Sequence, residues 1–497
     1  MGARTGCCLG LVGAFLLAAP ASALTCDPGK YGAKADGITK DTKAIQAAID
    51  DCAAKGGGTV ALTKGVYVSA PIVLKSNITL NLSVGATLLG SPDHADYPVT
   101  TVFNAPGQQS LITSVNAQGI AITGKGTIDG NGQSWWRDAK GQRPSGIMGE
   151  IVFRPRLIVF DHSKHIRMSG VTVRNSPSWQ IIPYYSDDVT IRNIKVLAPA
   201  DSPNTDAIDP FSSSHVVIDH VIADVGDDNV AIKSGKINSP GPDDPSRDIT
   251  ITDCVFLHGH GLSIGSELAG GAQNIRAERV HFKGTDQGIR IKSNRDRGHD
   301  VSGLFFKDID MENVGTGILI SEYYPNVEPP ADNRPQPIGR LTPFFHDFHF
   351  ENVSVKSSKV AAVVFGLPES PVKNLVMTNV RLSATKGLRI GEAEGVVLEG
   401  VTVKAAEGKD IDILPSAKVT VPPIGQGDGP LAPAPQAGER PVRSMLGQSG
   451  GRARSQDDDG GQREQCGGEK LRHAVQVEFH VQLPLCESAG TRLAAAA

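Results

Sequence analysis

The sequence predicts an all-β fold, a right-handed parallel β-helix of about ten coils with an N-terminal capping helix. An eight-residue apolar pattern recurs ten times, and successive copies begin 23 to 33 residues apart between Ile166 and Leu304. No helix-period pattern fills the stretches between the copies. A repeat of this length cannot bury its own apolar side, so it must stack on its neighbours as a solenoid.

Each repeat reads apolar, any, apolar, two polar or small residues, apolar, any, apolar. Alternation with period two indicates two short strands, and the polar pair marks a tight bend where the phase shifts. The repeats are IAITGKGT from Ile120, IRMSGVTV from Ile166, VTIRNIKV from Val189, VVIDHVIA from Val216, ITITDCVF from Ile249, IRAERVHF from Ile275, LFFKDIDM from Leu304, FHFENVSV from Phe348, LVMTNVRL from Leu375 and VVLEGVTV from Val396.

One helix is predicted, in DTKAIQAAIDDCAAKG, with Asp41 as N-cap and Gly56 at its end. We interpret it as the cap that covers the open end of the solenoid. The residues expected on its apolar face are Ile45, Ala48, Ile49 and Cys52.

Five cysteines follow residue 23, and none has a spacing typical of zinc sites. Cys26 and Cys52 are close enough in sequence to link the cap to the first strands in an oxidising compartment, although two free thiols remain the alternative. Cys254 occupies an apolar repeat position, so we expect a buried free thiol.

Both ends of the chain differ from the repeats. Residues 1–23 have the pattern of a secretory signal peptide, with Arg4, an apolar run and the small-residue site Ala21-Ser22-Ala23. Residues 24–424 form the predicted β-helix domain, and residues 425–497 are a low-complexity segment expected to be disordered. We expect a secreted, extracellular protein.

The formal net charge of −4 gives no global field that would attract nucleic acid or a membrane surface. We therefore expect neither as a partner once the signal is cleaved.

Polar and charged residues recur at the third strand of consecutive repeats, in DAID, VAIKS, LSIGS, IRIKS and ILIS. If the coils stack in register, these residues follow one stripe of roughly 20 Å, at one strand spacing per coil. Each has an ordinary alternative, such as a turn for the adjacent aspartates, but recurrence at one phase favours a binding groove for an extended polymer. They are Asp206, Asp227, Asp228, His260, Arg290, Lys292, Tyr323 and Tyr324.

Four of these segments, NTDAID, GDDNVAIKSG, GHGLSIGSE and GIRIKS, resemble in order the motifs of polygalacturonases, the family 28 glycoside hydrolases. TIDGNGQSWW and RPRLIVF upstream are similar to that family too, and the resemblance spans roughly residues 25–415. Two departures are Ala207, where the family usually has Gly, and Asn229, often Cys in eukaryotic members. Neither replaces a charged group.

The resemblance implies hydrolysis of a glycosidic bond with inversion by direct attack of water. Asp227 would be the general acid, Asp206 and Asp228 would hold and activate the water, and His260 would orient or tune the acid. Physical chemistry agrees, because clustered carboxylates cannot all ionise freely and one of them keeps a proton.

The resemblance also implies that Arg290 and Lys292 bind the substrate carboxylate, and that Tyr324, which matches better than Tyr323, positions the same sugar. The expected substrate is polygalacturonate or pectin of plant cell walls, with no cofactor, no metal ion and a monomeric enzyme. Endo action is expected, with exo action as the alternative.

Two other functions remain open. A calcium-dependent pectate lyase uses a similar solenoid, and three aspartates could supply calcium ligands, but GHG followed by RIK has no use in it. A non-catalytic glycan-binding solenoid would need no clustered acids.

Overall fold

The computed structural model describes residue 2 and residues 24–103, 105–141 and 153–422. In this part the chain winds into a parallel β-helix with three sheets, as predicted. No helix among these residues has the length and apolar character needed to cross a membrane.

The first sheet holds the first strand of each repeat. Its strands are Thr25–Cys26, Gly58–Leu62, Ile78–Leu82, Gln118–Gly124, Lys164–Ser169, Asp187–Arg192, Ser214–Asp219, Ser246–Thr252, Ala272–Glu278, Val372–Thr378, Ala393–Glu399 and Ala417–Thr420, with the leading parts of Asp300–Glu312 and Phe344–Phe365. The ten repeats therefore occupy ten consecutive strands, and the described chain adds further strands at both ends.

The second sheet holds the second strand of each repeat. Its strands are Asp36–Lys40, Gly65–Ser69, Ala86–Gly90, Thr127–Asp129, Thr172–Arg174, Lys195–Leu197, Ile222–Asp224, Val255–Phe256 and His281–Lys283, continued by parts of Asp300–Glu312, Phe344–Phe365, Arg381–Gly391 and Thr402–Ile413.

The third sheet carries the predicted polar stripe. Its strands are Ile72–Leu74, Ile112–Val115, Ile158–Asp161, Ile181–Tyr184, Val230–Ser234, Leu262–Leu268, Gln287–Lys292 and Thr316–Ser321, followed by the ends of Phe344–Phe365, Arg381–Gly391 and Thr402–Ile413. Bridges at Ile208 and Phe211 connect strand Ile181–Tyr184 to strand Val230–Ser234.

The predicted register of the repeats is confirmed residue by residue. Ile120 pairs with Ile166, Ile166 with Val189, and the first apolar residue of each later repeat stacks in the same way as far as Leu375. These side chains point into one continuous core that runs the length of the solenoid. In-register stacking is what allows each coil to bury its apolar side against the next.

The bend inside each repeat has a common backbone conformation. The fifth residue has a positive φ in all ten repeats, a conformation that Gly, Asn and Asp adopt most readily. This is why the polar or small pair interrupts the alternation. The residues are Gly124, Gly170, Asn193, His220, Asp253, Arg279, Asp308, Asn352, Asn379 and Gly400.

The capping helix α1 spans Thr42–Ala54 and buries the predicted face together with Ala44. Asp41 lies at the N-cap, but its side chain does not cap the helix: its oxygens accept hydrogen bonds from the backbone N–H groups of Lys34 and Ala35, at 2.7 and 2.9 Å. Cys52 on this helix forms a disulfide with Cys26, which joins the cap to the first coil.

Cys254 is a buried free thiol, as expected.

The prediction of a single helix is wrong. A second helix, α2, spans Gln133–Gly141 in the SWWRDAKG stretch that the sequence analysis assigned only by motif. Two 3₁₀ turns, Pro28–Tyr31 and His94–Asp96, and an antiparallel pair, Val99–Val102 with Ala105–Gln108, complete the described elements. Apart from residue 2, the predicted signal peptide lies outside the described residues, as does the low-complexity segment.

Candidate active site

The stripe of polar residues forms because consecutive third strands stack in register. Ile208 pairs with Val230, Val230 with Leu262, and Leu262 with Ile289. The seven residues with predicted roles line one cavity of about 130 Å³ beside the third sheet. These residues are Asp206, Asp227, Asp228, His260, Arg290, Lys292 and Tyr324.

Tyr323 is not part of this cavity. Its ring packs with Val363, Phe365 and Leu367, and its hydroxyl donates to the side chain of Asn333 at 3.0 Å. Of the two adjacent tyrosines, the structure thus brings Tyr324 to the site.

Asp228 is the most tightly held carboxylate of the cluster, with 1 % of its surface exposed. It accepts a hydrogen bond from the Ser263 hydroxyl at 2.6 Å and from Lys292 Nζ at 3.2 Å, and Arg290 Nη1 lies 3.7 Å away. Burial alone would raise the pKa of Asp228, but the charges of Lys292 and Arg290 outweigh it and hold this pKa well below its usual range. Asp228 is therefore ionised at working pH.

Asp206 has the opposite character. It is 3 % exposed, and its Oδ1 has no hydrogen-bond partner among the described residues. Burial, and then the charges of Asp227 and Asp209, raise the pKa of Asp206 well above its usual range. Asp206 therefore favours its protonated form more than Asp228 does.

Asp209 is a fourth carboxyl that the sequence analysis did not single out. It is fully buried, and neither of its oxygens has a partner among the described residues. Burial raises its pKa well above the usual range, although the charge of Lys233 opposes the rise. The sequence did contain a signal for Asp209, because its position in DAID corresponds to that of Arg290 in IRIKS.

Asp227 and His260 form a hydrogen-bonded pair at the more open side of the cluster. His260 Nδ1 lies 3.0 Å from Asp227 Oδ1, and Asn204 donates to the other carboxylate oxygen at 3.4 Å. Burial lowers the pKa of His260, but the bond to Asp227 more than compensates, so this pKa lies above its ordinary value. The pair is oriented by Asn229, whose side chain accepts from the Gly261 N–H at 2.9 Å and donates to the His258 carbonyl at 2.8 Å.

The cationic side of the cavity is formed by Arg290, Lys292 and Tyr324. The guanidinium of Arg290 lies 5.7 Å, and Lys292 Nζ 5.3 Å, from the centre of the Tyr324 ring. These distances fit cation–π contacts, so the ring holds both cations in place beside the carboxylates.

Six further residues line the cavity and were missed from sequence, and three of them, Lys233, Glu267 and Trp179, lie next to one another. Lys233 Nζ lies 3.6 Å from a Glu267 oxygen and 5.1 Å from the centre of the Trp179 ring. Lys233 in VAIKS has the same phase as Lys292 in IRIKS, which is the signal that would have identified it.

Comparison with known proteins agrees with this geometry. Residues 52–409 match the family described as glycosyl hydrolases family 28. The chain belongs to this family. It is therefore a glycoside hydrolase, and its solenoid is the right-handed parallel β-helix of that family.

Among curated relatives, an endo-polygalacturonase of Pectobacterium carotovorum subsp. carotovorum is 31% identical over 368 residues, which cover 71% of this chain and 86% of the relative. A polygalacturonase of Ralstonia solanacearum is 30% identical over 408 residues, 69% of this chain and 73% of the relative. Among solved structures, a hyperthermoactive exopolygalacturonase from Thermotoga maritima superimposes with a TM-score of 0.64 at 27% identity, covering 76% of this chain and 92% of that one.

Proposed function

We propose that this enzyme hydrolyses α-1,4-galacturonosyl linkages in polygalacturonate and pectin, with inversion at the anomeric carbon. The observation that carries the proposal is the contact of Lys292 and Arg290 with Asp228, which places two cations directly beside a carboxylate cluster in one cavity. Such an arrangement suits an anionic sugar polymer, whose carboxylates need cations next to the catalytic acids. The names of the relatives support the same substrate.

In the proposed reaction Asp228 is the base. Its low pKa keeps it ionised, so it can accept a proton from the attacking water as the water's oxygen bonds to the anomeric carbon. Asp206, on the same stripe, helps to hold that water. The bond from the anomeric carbon to the leaving oxygen breaks at the same time.

Asp227 is the general acid that gives its proton to the leaving oxygen. Its carboxylate is more exposed than those of Asp206 and Asp228, so it can reach the substrate, and His260 fixes its orientation. Between turnovers the proton that Asp228 took from the water is given up and Asp227 regains one, which restores both the base and the acid.

Arg290 and Lys292 bind the carboxylate of the sugar at the cleavage site, and Tyr324 packs against the sugar while it holds the two cations. Ester formation at that carboxylate removes its charge, so methyl-esterified regions are poor substrates.

The donor set argues against a calcium-dependent lyase. Asp227, Asp228 and His260 lie close enough together to hold a metal ion. However, Asp228 already accepts from Lys292 and Ser263, and imidazole is not a ligand that calcium prefers. The ammonium of Lys292, 3.2 Å from Asp228 Oδ2, would also repel a bound cation.

The test is to incubate the purified enzyme with polygalacturonate in the presence of a chelator. We expect new reducing ends, no unsaturated product, and a first product of inverted anomeric configuration by NMR. Asp227→Asn should slow this release at least about a hundredfold, whereas the control Asp253→Asn, at an outer-surface aspartate bound to Arg279, should not. Chelator-sensitive release of unsaturated products would establish the lyase, and binding without cleavage would establish the glycan-binding solenoid.

We also propose that the enzyme is secreted as a monomer and acts on plant cell walls outside the cell. The apolar run before Ala23 and the disulfide between Cys26 and Cys52 support export to an oxidising compartment. N-terminal sequencing of protein from culture medium should find a start shortly after residue 23, and gel filtration should give one chain's mass.

A further inference from the structure

Next to the catalytic cavity, other side chains cover the outer face of the third sheet. Strands Ile158–Asp161 and Ile181–Tyr184 are the two strands of this sheet that precede Ile208. Their side chains point alternately into the core and to the outer face. Their outward side chains are Val159, Ile182 and Tyr184, which belong to a hydrophobic cluster separate from the main core. These three are only 4, 0 and 4 % exposed, so other side chains cover them and a bound polymer would not touch them.

Phe103, between strands Val99–Val102 and Ala105–Gln108, belongs to the same hydrophobic cluster. Its ring centre lies 4.2 Å from that of Tyr184, 5.7 Å from Phe211 and 6.2 Å from Trp179. Phe103 is itself only 4 % exposed. We name Phe103, Trp179, Tyr184 and Phe211 the aromatic wall.

The guanidinium of Arg156 packs against two rings of the aromatic wall and helps to hold them in place. Its guanidinium carbon lies 4.3 Å from the centre of the Phe103 ring and 4.9 Å from that of Trp179. Distances of this size fit attractive cation–π contacts. The wall is therefore a packed part of the fold.

The wall is continuous with the site, because Trp179 and Phe211 both line the catalytic cavity next to Asp206. An enzyme that cuts inside a chain must accommodate sugars on both sides of the cleaved bond. Here the wall covers the third sheet on the Asp206 side, where further sugars of an internal segment would have to lie.

We infer that the enzyme attacks near a chain end, and that the Phe103 wall determines this choice. The inference rests on the proposed function, since it assumes a polygalacturonate substrate. It favours the exo alternative over the endo action that the sequence analysis expects. The sugar nearest the wall is terminal because the aromatic rings leave no path for a chain to continue.

The experiment follows polygalacturonate digestion by two readouts, the number of reducing ends and the viscosity. For wild-type enzyme we expect reducing ends to accumulate with little early loss of viscosity, and only short products of one size class from the first time points. Rapid viscosity loss with a mixture of oligomers would overturn the inference. Absence of any new reducing ends would instead contradict the proposed function.

The variant Phe103→Gly tests the wall itself. Glycine suits the positive φ of 53° at this position, so the hairpin is expected to keep its course while the ring is removed. Viscosity loss per reducing end should rise severalfold over wild type. The control Phe305→Ala removes a ring that stacks on His349 on the outer face of the first sheet, and it should leave the ratio unchanged. An unchanged ratio in a folded Phe103→Gly enzyme would show that the wall does not select chain ends. If this variant does not fold, the wild-type ratio of viscosity loss to reducing ends still tests whether the enzyme attacks near chain ends.

Discussion

Replacing Lys292 by Met tests the cationic half of the site most directly. The side chain keeps its length and apolar stem but loses the ammonium that lies 3.2 Å from Asp228 Oδ2. Two consequences follow: the substrate carboxylate loses one charged donor, and the buried Asp228 loses its strongest attractive neighbour.

The size of the effect follows from these contacts. A hydrogen bond to a charged group contributes about 1.5–3 kcal/mol, and each 1.36 kcal/mol changes a rate about tenfold. We therefore expect kcat/KM on polygalacturonate to fall roughly ten- to hundredfold.

The pH profile should move as well. Lys292 helps to keep the pKa of Asp228 low, so its removal raises that pKa, and the ionised base is lost at a higher pH than in wild type. The acidic limb of the kcat/KM profile should shift upward. An effect on substrate binding alone would leave that limb in place.

The assay compares kcat/KM for polygalacturonate and for methyl-esterified pectin across pH, with circular dichroism to confirm folding. Preference for the de-esterified polymer should shrink in Lys292→Met. Lys307→Met is the matched control, since Lys307 is 40% exposed and pairs with Glu351 away from the site. If the folded Lys292→Met enzyme keeps wild-type kinetics and ester discrimination, Lys292 neither binds substrate nor supports Asp228.

Three further outcomes are expected. Asp227→Asn should reduce turnover by roughly 10²–10⁴ or more without a change in Tm, and near-normal turnover would exclude Asp227 as the acid. Asp209→Asn should raise Tm, and the gain should grow as pH rises above about 4, the ordinary pKa of an aspartate in the unfolded chain. The reason is that the pKa of Asp209 is raised in the folded state. The stability that such a carboxyl contributes is fully present below its unfolded pKa and is lost as pH rises through its folded pKa. A parallel pH dependence of Tm in both proteins would contradict the unpartnered burial of Asp209. Cys52→Ser should cost about 2–4 kcal/mol of unfolding free energy because it opens a link across 26 residues, and a reducing agent should then lower the Tm of wild type but not of the variant.

The repeat pattern alone determined the architecture, the register and the position of the active-site stripe. Apolar residues with period two must face one interior, and a coil that cannot bury them alone must stack, so alignment of the repeats is also alignment in space. For this reason Asp206, Asp228 and His260, which are far apart in sequence, could be placed together before any coordinates. The positions of Lys233 and Asp209 within their repeats would have placed these two residues at the site in the same way.

Only the tertiary structure decided the charge states and the limits of the site. The pKa of a carboxyl depends on burial and on charges from other coils, so the sequence could not tell that the pKa of Asp228 is lowered while that of Asp206 is raised. Phe103 lies outside the repeats, in a hairpin whose path no periodicity fixes, and its packing on Trp179 and Tyr184 is decided by contacts between distant segments. The sequence repeats therefore specify the stacked β-helix, whereas the irregular connections between strands specify which substrates can reach its active site.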